Sequence, residues 1–150
     1  MLFLLTLATL IPTYACPDFS GKYKWVSDDH ETMVVLTATP TNCDQLTLSY
    51  DYGWGFPIVQ KHILDGKKRL VEQNDDDGFK AYETATIDDK GVLIAEERHE
   101  TSDEDNQENI YYVNSNVYLD GDRNLVILKT TSNSDHVETD KNETKYSRVP

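Results

Sequence analysis

The side chains of this sequence best suited to ligand chemistry are the aromatic rings of one short segment. Tyr50-Asp51-Tyr52-Gly53-Trp54-Gly55-Phe56-Pro57 carries an aromatic residue at every second position. Glycines on both sides of Trp54 let the backbone turn sharply and leave the indole projecting. At the mouth of a barrel such a segment would act as a portal or lid for an apolar ligand. We therefore predict ligand contacts for four residues: Tyr50, Tyr52, Trp54 and Phe56. The alternative is a hairpin in which Trp54 folds back and caps the core.

Two charged residues fall on strand faces that also carry apolar residues. Alternation places Glu83 on the same face as Ala81, and one strand later it places Arg98 on the same face as Ile94 and Glu96. Buried charges require partners, so the pattern predicts an internal pair of Arg98 with Glu83 or Glu96 that would bind a polar group of a ligand. The alternative is a bulged strand whose charges reach water.

The sequence lacks the common catalytic and metal-binding patterns. No second histidine follows at the spacing of a zinc-protease helix, and there is no Gly-x-Ser-x-Gly elbow or phosphate-binding glycine loop. The acidic run Asp75-Asp76-Asp77-Gly78 does not fit the ligand spacing of an EF-hand calcium loop. We expect a protein that is not an enzyme and that needs no metal or cofactor.

The elements that must position these residues read as short strands. In Leu46–Tyr52, apolar and aromatic residues alternate with polar ones, which is typical of a half-buried strand. The predicted strands are Lys22–Ser27, Thr32–Thr39, Leu46–Tyr52, Ile58–Leu64, Arg69–Gln73, Phe79–Ile87, Val92–Glu100, Ile110–Leu119, Leu125–Thr130 and His136–Val149. Tight turns between them predict an all-β fold, an antiparallel up-and-down meander of eight to ten strands closed into a barrel. A two-sheet sandwich is the alternative.

The first and last predicted strands carry a family resemblance. Phe19-Ser20-Gly21-Lys22-Tyr23-Lys24-Trp25 and Lys145-Tyr146-Ser147-Arg148-Val149 resemble the corresponding strands of the calycin group of small β-barrels, which includes lipocalins and fatty-acid-binding proteins. Lipocalins have Gly-x-Trp where this chain has Gly21-Lys22-Tyr23. The resemblance implies that an aromatic side chain closes one end of the barrel, beneath Arg148. It also implies that the interior binds a small hydrophobic or amphipathic molecule.

The N-terminal residues predict export. An uncharged apolar run, Leu2–Ile11, precedes Ala15, which is the pattern of a secretory signal peptide over residues 1–15. One barrel domain, residues 16–150, then follows, in a secreted or periplasmic protein. In an exported chain Cys16 and Cys43 predict a disulfide. The alternative is a lipoprotein anchored to the membrane through Cys16.

The charge of the chain restricts its partners. The formal net charge is −13, which repels nucleic acids and anionic membrane surfaces. We expect a monomer that binds a small hydrophobic or amphipathic ligand. The alternative function is that of a structural or interaction protein of the cell envelope or the secreted fraction, with a packed barrel and an acidic surface that binds a partner.

Overall fold

The fold consists of ten β-strands joined by short turns. The computed structural model describes residues 16–26, 33–41, 43–76, 78–102 and 108–150. The strands are β1 (Gly21–Val26), β2 (Met33–Thr41), β3 (Gln45–Asp51), β4 (Ile58–Ile63), β5 (Arg69–Asn74), β6 (Phe79–Ile87), β7 (Leu93–Ser102), β8 (Glu108–Leu119), β9 (Leu125–Asn133) and β10 (Glu138–Arg148). Each of the ten predicted strands overlaps one of these.

The strands form one antiparallel sheet that curls into a half-barrel. Their order is β4-β3-β2-β1-β10-β9-β8-β7-β6-β5, so the first strand pairs with the last, and β4 and β5 form the two edges. The predicted all-β up-and-down meander is confirmed, and the described strands do not divide into the two sheets of a sandwich. Because side chains alternate across a strand, one set lines the concave face of the curl and the other lines the convex face.

The end of the concave face next to the N-terminal segment contains the largest buried side chains. Phe19, Tyr23, Leu36, Leu48 and Leu125 are almost completely buried there. The Tyr23 hydroxyl donates a 2.9 Å hydrogen bond to the Phe19 carbonyl. Nearby, Arg148 Nη2 donates a 3.1 Å hydrogen bond to the carbonyl of Ser20. An arginine of the last strand therefore lies against the segment that leads into β1, at the end that Tyr23 fills.

A disulfide closes the same end of the molecule. Cys16 is bonded to Cys43 in the turn between β2 and β3, with their Cα atoms 5.5 Å apart. The predicted disulfide is confirmed. The predicted signal peptide, residues 1–15, lies outside the described residues. Within the described ranges there is no helix of the length and apolarity required to cross a membrane.

Three turns share one construction. An Asp or Asn side chain at the first position accepts backbone N–H groups two and four residues later, and the fourth position has a positive φ. In the turn between β8 and β9, the positive φ of 62° belongs to Arg123. The Asp120-Gly121 pair therefore marks the correct hairpin, but its glycine is not the residue that adopts the left-handed conformation.

Candidate functional site

The concave face changes character halfway along several strands. On β3 the buried Leu46 and Leu48 are followed by Tyr50. On β9 the buried Leu125 and Ile127 are followed by Lys129 and then by a threonine. One half of the face is therefore packed with aliphatic side chains, and the other half presents tyrosines and polar groups. We call these the packed half and the cavity half.

The cavity half encloses a space of about 400 Å³ between β3–β4 and β8–β10. We call it the tyrosine cavity. Its lining residues are Tyr50, Tyr52, Ile58, Gln60, Val113, Ile127, Lys129, Thr131, Asp140, Asn142, Thr144 and Tyr146. The rings of Tyr50 and Tyr146 meet edge to face with their centroids 6.4 Å apart. Strands from opposite sides of the curl thus contribute to one site.

The hydroxyls of Tyr50 and Tyr146 are the distinctive polar groups of this cavity. Both residues are only 7% exposed, and their hydroxyls are not among the buried side-chain atoms of the described residues that lack a hydrogen-bond partner. Burial is the main cause that raises the pKa of Tyr146 to about 12. Burial also raises the pKa of Tyr50, and the neighbouring phenols of Tyr146 and Tyr52 and the carboxylate of Glu97 raise it further. Both phenols are therefore neutral near pH 7, and each can donate or accept a hydrogen bond.

The aromatic segment forms an exposed loop beside this cavity. Trp54 is 81% exposed and Phe56 is 91% exposed, so the alternative in which Trp54 folds back and caps the core is wrong. Tyr52 lines the cavity and stacks on the Trp54 ring at 5.2 Å. Positive φ angles at Gly53 and Gly55 explain why the loop projects, since glycine adopts that conformation without steric cost.

Glu83 lies on the concave face, in a second cavity at the edge of the sheet. His62 Nδ1 of β4 lies 2.6 Å from Glu83 Oε2 of β6, and both side chains are buried. This contact bridges β4 to the strand beyond β5, so it spans the two open edges of the sheet. The space beside it measures about 330 Å³, and Glu72 and Glu97 are among its lining residues.

The predicted internal position of Arg98 is wrong. Arg98 is opposite Tyr82 in the register of β6 and β7, on the convex face, where it forms an ion pair with Glu100. The residues of β7 on the concave face are instead Leu93, Ala95, Glu97 and His99, as the burial of the first two shows. The partner of Glu83 is consequently His62 rather than an arginine.

Sequence reasoning missed several residues of the site. Tyr146 and Lys129 line the tyrosine cavity, and Glu97 accepts a 3.0 Å contact from His99 Nε2, whose ring stacks on Tyr111 at 4.6 Å. The alternation along β9 could have identified Lys129, because it places this residue on the same face as the buried Ile127, two positions earlier. The alternation along β10 could have identified Tyr146 in the same way. In the described part of the chain, no group of three or more His, Cys, Asp or Glu side chains could hold a metal ion.

Comparison of the chain with models of known protein families, with curated proteins and with solved structures finds no significant match. The resemblance to calycins therefore stays a prediction, and the all-β architecture is what the structure shows.

Proposed function

We propose that this protein binds a small amphipathic molecule in the tyrosine cavity. The observation that carries the proposal is the volume of about 400 Å³ enclosed by opposite sides of the curled sheet. Ligand-binding cavities measure roughly 300–1,000 Å³, whereas a barrel that serves only as a rigid surface has no need of such a space. The sequence predicts a hydrophobic or an amphipathic ligand. We favour the amphipathic class because the cavity is lined by both apolar and polar side chains.

The lining supports an amphipathic ligand because it combines two kinds of surface. Ile58, Val113 and Ile127 offer aliphatic contacts, and the tyrosine rings add flat apolar area. Gln60 and Asn142 add amide groups that donate and accept hydrogen bonds. A purely aliphatic ligand would leave these polar groups without partners, which costs free energy.

The exposed aromatic loop supports entry at the same end. Tyr52 belongs both to the lining of the cavity and to the stack with Trp54, so the loop and the binding space are continuous. Displacement of Trp54 would therefore alter access to the cavity without disturbing the packed half. The disulfide supports the predicted export, because such bonds persist in oxidising compartments.

The test is the binding of Nile red, an uncharged dye that fluoresces in apolar surroundings, to the purified protein. Thr131 lines the tyrosine cavity and its neighbour Thr130 points to the opposite face of β9, so the two threonines form a matched pair. We expect the indole of Thr131→Trp to fill the cavity and weaken dye binding by about tenfold or more. A tenfold loss corresponds to about 1.4 kcal/mol, which is the scale of losing the burial of part of the dye's apolar surface. Thr130→Trp should bind as the wild type does.

Two results would contradict the proposal. The first is that the wild-type protein gives no saturable increase in fluorescence. The second is that the Thr130→Trp and Thr131→Trp variants lose binding equally, since the dye would then occupy a surface site or report on unfolding. Circular dichroism of both variants identifies any loss of fold.

A further inference from the structure

We propose that the gap between β4 and β5 is a pH-sensitive opening in the wall of the curl, closed when a protonated His62 binds Glu83 and wider when His62 is neutral. We call this gap between the two edge strands the seam. The inference goes beyond the proposed function, because the movement requires no ligand.

The seam is the place where the backbone pairing of the sheet ends. β4 pairs with β3 and β5 pairs with β6, and no ladder among the described strands joins β4 to β5. The connection between the two strands is held in place, because the Leu64 N–H donates to the Asp44 carbonyl at 2.8 Å and the Gly66 N–H donates to the Ala85 carbonyl at 3.0 Å. Beyond this fixed connection, side chains rather than backbone groups must hold the two edges together.

The second cavity lies in the seam and reaches both faces of the sheet. Four consecutive residues of β4, from Val59 to His62, line this space of about 330 Å³. Because successive side chains of a strand point to opposite faces, the cavity is an opening in the wall rather than a hollow on one face. Gln60 also lines the tyrosine cavity, so a wider seam would give access to the interior from the side.

The ion pair of His62 and Glu83 closes the seam. His62 Nδ1 lies 2.6 Å from Glu83 Oε2, and the two residues are 4% and 8% exposed. The contact extends from β4 past the edge strand β5 to β6, and within the described ranges it is the ion pair that joins the two sides of the seam. A buried charge is costly unless it is paired, so the charge of His62 has a large influence on this contact.

The other groups that face this ion pair are mostly acidic. Glu97 is directly opposite Glu83 in the register of β6 and β7, and Glu72 of β5 lines the same cavity. Like charges in directly opposite positions destabilise a sheet. A protonated His62 offsets one of these charges, whereas a neutral His62 leaves the carboxylates to repel one another across the cavity. His99 contacts Glu97 at 3.0 Å and is the second histidine whose charge matters here.

Two cationic side chains lie nearby, and neither supplies a pH dependence near neutrality. Lys61 lines the cavity and is exposed. Arg69 is opposite Glu83 in the register of β5 and β6, and its guanidinium forms an ion pair with Asp65. Lysine and arginine side chains keep their positive charge throughout the range in which histidine titrates.

The direction of the pH effect follows from these charges. Histidine is the side chain that changes its charge between about pH 5 and 8. The positive charge of His62 favours the closed seam, so its contribution is present at the acidic end of that range and is lost as the pH rises. We therefore expect a closed seam in mild acid and a wider seam in mild alkali.

The experiment measures the width of the seam in the protein without ligand. Val59 on β4 and Gln73 on β5 are both exposed, so the variant Val59→Cys/Gln73→Cys carries one nitroxide spin label on each edge. Double electron–electron resonance gives the distance between the labels at about pH 5.5 and about pH 8, near the two ends of the histidine range. We expect a shorter and narrower distance distribution at the lower pH, and a longer and broader one at the higher pH.

Variants of the labelled protein assign the effect to one histidine. His62→Gln keeps a hydrogen-bond donor that does not titrate, so we expect the longer distance at both pH values. Glu83→Gln removes the carboxylate and should reduce the pH dependence, whereas His99→Gln should keep it. His136→Asn is the control, because His136 is exposed and has a φ of 59°, a conformation that asparagine also adopts.

Urea denaturation of the unlabelled protein provides an independent readout. Between about pH 5.5 and about pH 8, the unfolding equilibrium constant of the wild type should rise about tenfold more than that of His62→Gln, which is the scale of one hydrogen bond to a charged group. The His136→Asn variant should follow the wild type.

An identical distance distribution at the two pH values would overturn the inference, and this measurement needs no substitution of a buried residue. The inference would also be overturned if His62→Gln kept the full pH dependence, or if His99→Gln abolished it, since another group would then control the seam. None of these measurements uses Nile red, so their failure is distinct from failure of the proposed function.

Discussion

The two halves of the concave face are built from the same continuous strands but carry different side chains, aliphatic in the packed half and aromatic or polar in the cavity half. Leu48 in the packed half and Tyr50 in the cavity half are two residues apart on β3, and both belong to an uninterrupted pairing with β2. Leu48 is 1% exposed and contacts the core, whereas Tyr50 faces a cavity of about 400 Å³. Side-chain size and polarity, rather than any change in strand geometry, therefore divide this face into a packed region and a region that leaves a cavity.

This division implies that stability and the proposed ligand binding can be changed separately. The packed half contributes burial of aliphatic side chains, the main favourable term in folding. The cavity half contributes less of this stabilisation, because atoms that face the cavity lack van der Waals contacts on that side. Variants in the packed half should therefore alter unfolding, and variants in the cavity half should alter ligand affinity.

The largest expected effect on stability comes from the disulfide at the packed end. Cys16 and Cys43 are 27 residues apart in the sequence, and a closed loop of this size stabilises a fold by about 3.5 kcal/mol in the chain-entropy model. We expect the double variant Cys16→Ala/Cys43→Ala to lose a comparable free energy of unfolding in urea denaturation. An unchanged midpoint would show that the packed end does not depend on this bond.

A slightly smaller loss is expected from a cavity created within the packed half. Leu48→Ala removes a buried leucine and should destabilise the protein by roughly 3 kcal/mol. Leu70→Ala is the control, because Leu70 is 49% exposed and its truncation should change stability by less than about 0.5 kcal/mol. Similar losses in the two variants would break the distinction between packed half and surface.

The smallest effect appears only at alkaline pH. Burial raises the pKa of Tyr146 from 10.0 to about 12 in the folded protein. A raised pKa in the folded state contributes stability that is complete below the unfolded value and is lost as the pH rises through the folded value. Wild-type stability should therefore fall more steeply than that of Tyr146→Phe between pH 10.0 and about 12. Parallel curves from denaturation at several pH values would contradict the buried position of this phenol.

The strands could be predicted from the sequence because alternation survives in most of them. Leu46–Tyr52 reads clearly, and β3 covers Gln45–Asp51. Strand ends were less accurate where polar residues or proline weaken the pattern. β2 continues through Pro40 to Thr41, and β9 continues to Asn133, because pairing with neighbouring strands supports residues that have little strand signal of their own.

The site could be predicted only in part, for a physical reason that β7 illustrates. Leu93 and Ile94 are both apolar, and Glu96 and Glu97 are both acidic, so either face of the strand reads as the inner one. Only the pairing with β6 selects the face of Glu97 over that of Arg98. Tyr50 and Tyr52, which line the tyrosine cavity, could be assigned to one face because their strand has one clear alternation. Tyr146 was not assigned to the cavity because its contact with Tyr50 joins residues far apart in the chain.

The pairing of the first strand with the last has a consequence for how the chain folds. Tyr23 of β1 is opposite Arg148 of β10, so the junction between the two ends of the meander requires nearly the whole polypeptide. Contacts between residues distant in sequence slow folding, because a long loop must be ordered before they form. We expect the sheet to complete itself only after β10 has been synthesised, on a timescale of milliseconds to seconds typical of all-β domains.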